Sequence, residues 1–405
     1  MRISTNTMYE MGSRQISELQ VGLAKTQQQI STNRRILTPA DDPVAAAAAL
    51  GMDQALSINA QFTTNRSNAK SALSEEESVL QSVTSLLQSV KDVIVGAGNG
   101  ALDDAQRKMY ATQLHSNFDE LLGLANSRDS SGNYIFSGYQ TSSQPFSKSV
   151  SGAAYAGDQG QRMTQVEAAR QLATSDSGST VFEGASTGNG RFVTAAGASN
   201  TGSGLISTGS VADLAQLTDH DFAVTFTVNA TTGATTYLVT ETPVPAIPAT
   251  AQPYVSGQAI TFGGMQFDIK GSPENGDTFS VKPSTQQSIF TTITDLIATL
   301  STSAAGSNGK TKLANNLATA NNNVANALDN ISSIRSSVGS RLKEIDNLDS
   351  AGSELKIQYT KTLTDLQDID PVEAYSRFTQ QQYTLEAARQ SFIKISGLSL
   401  FNMLS

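Results

Sequence analysis

The chain has 405 residues, a formal net charge of −9 and no cysteine. The length allows two or three domains. The acidic balance excludes a nucleic-acid partner held by phosphate neutralisation and adhesion to an anionic membrane surface. The missing thiols exclude disulfides, thiolate metal sites and cysteine nucleophiles together. With 38% hydrophobic and 6% aromatic residues, the composition is lean for a compact enzyme. It suits long helices that bury narrow stripes against one another. No apolar run is long enough to span a bilayer, and the opening residues contain no apolar core of a cleaved export signal.

Taken in chain order, residues 1–40 read as a first helix. Tyr9, Gly12, Ile16, Leu19, Leu23, Thr26, Ile30, Asn33 and Leu37 step by three and four residues. Pro39 stops that helix. Asp41 and Asp42 before Pro43 restart the chain as a helix, an acidic cap followed by proline at the first helical position. Residues 41–137 then form a helical arm. One helix runs from Pro43 to about Phe62, a further stretch carries Leu73, Leu80, Val83, Leu87, Val90 and Ile94, and another opens at Asp103 and Asp104.

Residues 138–285 change character. They are rich in Gly, Thr, Ser and Val, and alternation in Phe222–Val228 and Thr235–Thr240 predicts a hairpin. Short strands are expected at 259–262, 265–269 and 278–281, with 183–210 irregular. Helical periodicity returns over 286–370, where Ile331, Ile334, Val338, Ile345, Leu348, Leu355, Tyr359, Leu366 and Ile369 keep one heptad frame. Asp370 caps a last helix over 371–405, with Phe378, Leu385, Phe392, Ile395 and Leu398 on one side. The fold class is therefore multidomain α+β: long antiparallel helical, coiled-coil-like arms from both termini, with an inserted all-β domain.

Both terminal helices have a narrow apolar face and no cover within their own arm. A lone helix of this kind is marginal in water. The expectation is that Ile16, Leu19, Leu23 and Ile30, with Phe378, Leu385, Phe392, Ile395 and Leu398, form an interface to other subunits, and that 1–40 and 371–405 order only on assembly. The acidic pair Asp41 and Asp42 reads as a helix cap before it reads as an acid–base or metal site. Asp158 and Arg162 suggest an ion pair locking a turn. Tyr134, Ile135 and Phe136 suit core packing between arm and insert. His115 and His220 make no i, i+4 pair, so neither metal nor cofactor is expected. No nucleophile and base stand together, so no enzyme is expected.

Several segments resemble the hook-associated proteins of the flagellin superfamily, in particular the hook-associated protein 3 family. They are the opening Met1–Glu10, the turn Ile36–Ala45 with Asp41, Asp42 and Pro43, the stretch Gly132–Gly138 with Tyr134 and Phe136, and Tyr155–Arg162. Glu274–Val281, Val338–Leu342 and Leu398–Leu404 complete the set, in family order over nearly the whole chain. The resemblance implies a structural subunit of the bacterial flagellum at the junction of hook and filament. It implies partners in copies of itself, the first hook-associated junction protein, flagellin and an export chaperone that holds the last helix. It also implies an extracellular place reached by type III export, with the terminal helices forming an inner tube. The rival readings are flagellin itself, which shares the arms, a secreted coiled-coil adhesin, and a hydrolase in the insert.

Overall fold

The computed structural model describes residues 5–242 and 250–404, and side chains over 7–242 and 250–395. Three helices come first: α1 (Thr5–Thr32), α2 (Pro43–Ala97) and α3 (Asp104–Ala125). Then follow β1 (Phe146–Ser149), β2 (Gly152–Tyr155), β3 (Met163–Glu167), β4 (Arg170–Ala173) and a π-helical turn at Ser179–Glu183. The insert continues with β5 (Ala185–Ser186), β6 (Phe192–Ala196), β7 (Leu205–Ile206), β8 (Ser210–Val211), β9 (Asp221–Val228) and β10 (Thr235–Thr242). It closes with β11 (Gln252–Pro253), β12 (Ala259–Phe262), β13 (Met265–Lys270), β14 (Thr278–Pro283) and β15 (Gln286–Gln287). Three helices end the chain: α4 (Ile289–Ser301), α5 (Gly306–Gln367) and α6 (Pro371–Leu404). The architecture is helical at both ends with a β-rich middle.

The helical stretches expected separately at 43–62 and 73–94 are one helix of 55 residues. No glycine or proline lies between Met52 and Val95 to break the ladder. Asp103 and Gln106 start α3 with a reciprocal capping box, each side chain bonding the other's backbone N–H. The Ser288 hydroxyl caps α4.

The chain divides into two compact units, Met1–Thr64 with Asn347–Ser405, and Asn65–Asp346. The larger unit has two hydrophobic centres. In the first, Phe290 of α4 meets Phe118 of α3, Phe146 of β1 and Phe182 of the π-helical turn at ring separations of 5.5, 5.2 and 5.9 Å. Leu73, Leu80, Val83, Leu87 and Val90 of α2 and Val324, Ile331 and Val338 of α5 are buried in the same unit. In the second centre, a five-stranded antiparallel sheet ordered β11-β10-β9-β14-β6 packs on a smaller sheet of β12, β13, β7 and β8. Its core holds Phe222, Val224, Phe226, Ile260, Phe267, Ile269 and Phe279.

Residues 183–210 are not irregular, as the sequence suggested. They contribute β5, β6 and β7, and β8 follows directly. Most of these strands are two residues long, and their partners lie far along the chain in β13, β14 and β15. Local alternation carries no trace of such pairings. The hairpins β1–β2 and β3–β4 pack on helices rather than on the larger sheets. Asn126 of the α3 cap exchanges hydrogen bonds with Phe146, and Asn65 and Arg66 of α2 donate to the carbonyls of Gln165 and Val166.

A row of asparagines on α5 holds the insert by its main chain. Asn315 donates to the Gly204 carbonyl and accepts from the Ile206 N–H; Asn323 accepts from the Gly188 N–H. Asn326 donates to the carbonyls of Ser186 and Gly188, at 2.7 and 2.8 Å. Asn330 donates to those of Thr180 and Val181, at 3.0 and 3.1 Å.

Candidate assembly interface

The smaller unit begins with a clasp between two turns. The Arg35 N–H donates to the Gln367 carbonyl at 2.7 Å, and its guanidinium donates to the Leu366 carbonyl at 2.8 Å. Arg34 bridges to Asp368, and the Gln29 amide donates to the Arg35 carbonyl. The turn between α1 and α2 is thereby sewn to the turn between α5 and α6.

The acidic pair before Pro43 divides its labour. Asp42 is the cap of α2, its Oδ1 accepting from the Ala45 N–H at 3.0 Å while Oδ2 pairs with Arg35. Asp41 is not a cap. Its Oδ2 accepts from the N–H groups of Leu37 and Thr38, and its Oδ1 meets the Lys25 ammonium. The Lys25 contact first, then the two backbone donors, hold the Asp41 carboxyl at about 2. Asp370 opens α6 by accepting from the N–H groups of Val372 and Glu373.

Helices α1 and α6 lie antiparallel. Tyr9 and Phe392 have ring centroids 5.0 Å apart, and Gly22 faces Gln381 further along the pair. A Cβ on Gly12 would stand 2.7 Å from the Phe392 ring, so glycine permits this approach. Of the expected interface residues, Leu385 is buried, and Ile16, Leu19, Leu23, Ile30, Phe378 and Phe392 are half-buried. Ile395 is exposed, and Leu398 lies outside the residues whose side chains are described. The stripe thus covers itself only in part.

A further set was not anticipated by the heptad pattern. Met8, Met11 and Val21 of α1, Val44 and Leu50 of α2, Ile357 of α5, and Val372, Tyr375, Tyr383 and Ile393 of α6 are all exposed, by 51 to 81%. Their sequence signal is the presence of large apolar residues off the main stripe. Scattered exposed apolar groups are ordinary, but here they are concentrated on one unit.

The motifs at 132–138 and 155–162 form a single knot in the larger unit. Tyr134, Ile135 and Phe136 are buried. The Tyr155 hydroxyl lies 3.0 Å from the Phe136 carbonyl and 2.6 Å from that of Asp158. Gly138 has φ +72°, and a Cβ there would collide with Asp158. The expected ion pair between Asp158 and Arg162 does not form. Asp158 accepts instead from the N–H groups of Tyr139 and Gly160, which lower its pKa, and Arg162 reaches Asp129 at 3.7 Å. Two backbone donors at short range outbid a mobile side chain. Among the described residues there is no cluster of His, Asp and Glu suited to a metal ion, and no helix long and apolar enough to cross a membrane.

Known proteins give this geometry a context. Residues 3–141 match the bacterial flagellin N-terminal helical region, and 195–283 match the D2-like domain of flagellar hook-associated protein 1. The chain is 28% identical over 404 residues to flagellar hook-associated protein 3 of Salmonella typhimurium, covering 100% of this chain and 99% of that one. The crystal structure of flagellar hook-associated protein 3 from Legionella pneumophila is 32% identical, with a TM-score of 0.74 over 78% of this chain and 98% of that one. The flagellar junction protein FlgL of the same organism gives 31% and 0.72, over 79% and 100%. With identity at this level along the whole length of its relatives, and their helix–sheet–helix order reproduced, the chain belongs to the flagellar hook-associated protein 3 family, structural components of the junction between the flagellar hook and filament.

Proposed function

We propose that α1 and α6 are the half-built wall of a tubular joint, completed by neighbouring subunits. The carrying observation is the apolar surface left on the smaller unit after α1 and α6 have paired. Copies of this chain cover it laterally, the first hook-associated junction protein meets the joint on the hook side, and flagellin meets it on the filament side. Such heterologous contacts propagate into tubes rather than closing as dimers. The role is mechanical, and no catalytic step is assigned.

The same marginal pair suits export through a narrow channel without a cleaved signal, followed by folding at the growing tip outside the cell. Before export, Phe378, Leu385, Phe392 and Ile395 dock α6 in the groove of a chaperone, as anchors spaced by seven and three residues. The conformational entropy given up on folding is offset only when neighbours bury the stripes.

The test is electron microscopy of a deletion strain carrying either the wild-type gene or Phe392→Asp. The deletion should leave hooks without filaments and release flagellin into the medium. The wild-type gene should restore filaments, and Phe392→Asp should not, although residues 40–370 keep their fold by circular dichroism. Normal filaments on the Phe392→Asp strain would overturn the assignment. Amide exchange on the isolated monomer tests folding on assembly: strong protection of α1 or α6 in the free subunit contradicts it.

A further inference from the structure

Glu76, in the middle of α2, has no exposed surface. One of its oxygens accepts the Asp176 N–H at 3.1 Å; the other is buried and finds no hydrogen-bond partner among the described residues. Asp176 is itself buried. It accepts from the Gln161 amide at 2.7 Å and pairs with the Arg341 guanidinium of α5, which also donates to the Ala173 carbonyl. The other cation facing the cluster, Arg162, is drawn to Asp129 and Ser175. Two buried carboxyl groups therefore share one closely bound guanidinium. Ionising both would leave an uncompensated negative charge out of water, which is costly.

We propose that Glu76, Asp176 and Arg341 form a proton-keyed latch, in which a proton resident on Glu76 keeps the strap 173–178 closed against α2 and α5 and its release to solvent opens the strap. The strap leads from β4 into the π-helical turn, and its Gly178 N–H is bonded to the Phe136 carbonyl. Opening it would therefore loosen the motif knot from the arm. Burial first, and the Asp176 charge second, push the Glu76 carboxyl up to about 8; Arg341, the Asp176 N–H and Arg162 oppose them. The folded pKa lies above the ordinary glutamate value of 4.5. The latch is thus fully closed at acid pH, and its stability is lost as pH rises through the folded value.

Amide exchange of residues 175–178 in the full chain, corrected for intrinsic rates, reads the latch between pH 5.5 and 9.5. Wild-type protection should fall about tenfold per pH unit below the Glu76 pKa and level off above it. Glu76→Gln should give a flat profile. Asp176→Asn, lacking the like charge, should level off at lower pH. Identical pH profiles in wild type and Glu76→Gln would overturn the proposal. Should Glu76→Gln not fold, the carboxyl ¹³C titration of glutamate-labelled wild type decides: a glutamate midpoint above 7 that coincides with the levelling of strap protection sustains the latch, and its absence overturns it.

Discussion

Most of the phenylalanines in the unit of residues 65–346 are buried in two centres. Phe136, Phe146, Phe182 and Phe290 close one centre, and Phe192, Phe226 and Phe279 the other. In the unit built from the two termini, the buried apolar residues are Ala45, Ala49, Ile369, Ala374 and Leu385, while tyrosines, valines and isoleucines face outward. The first unit holds itself by burial. The second leaves much of its apolar surface uncovered. Buried cores and uncovered apolar surface are thus separated along the chain.

The largest effect that sharpens this contrast belongs to the aromatic centre. Phe290→Ala removes the ring shared by three others and should lower stability by about 3–5 kcal/mol. Denaturant unfolding of the larger unit would register it; a loss below 1 kcal/mol would show that the centre is not where stability resides. Next come the asparagines of α5. Asn326→Ala with Asn330→Ala strips donors from four main-chain carbonyls and should cost about 2 kcal/mol. Amide exchange rising at 181–190 before the rest of the insert would locate the damage.

Gly12→Val is the complementary perturbation. It pushes on Phe392 and should reduce incorporation of the subunit into filament-bearing junctions while leaving the unfolding midpoint of the larger unit unchanged. A drop in that midpoint would break the separation drawn above. The smallest effect concerns acid. The Asp41 carboxyl is held below the ordinary aspartate value of 3.8, so its contribution is present above that pH and lost as pH falls towards about 2. In assembled subunits, exchange at Leu37 and Thr38, corrected for intrinsic rates, should increase over that interval in wild type and be high throughout in Asp41→Asn.

Much of this was legible from local pattern. The stripe of α1, the heptads of α5, the restart at Pro43 and the hairpin of β9 and β10 are written in adjacent residues, with caps and alternation as their punctuation. The two-residue strands β5, β7 and β8 were not legible, because each exists only through a partner tens of residues away. At the interface, the stripe on α1 and α6 could be read from spacing. The exposure of Tyr375 and Tyr383 could not, since nothing local tells which apolar side chains off the stripe the fold leaves uncovered. The cluster of Glu76, Asp176 and Arg341 joins residues whose sequence separations exceed any motif.

The asparagine row of α5 bonds largely to main-chain groups, so it reads the path of the insert and not its side chains. Substitution at Thr180, Ser186 or Ile206 leaves each carbonyl and N–H in place. An attachment of this kind is blind to sequence. It would let the outward surface of the insert diversify, or accept a transplanted insert of the same chain path, without any matching change in the helix that carries it.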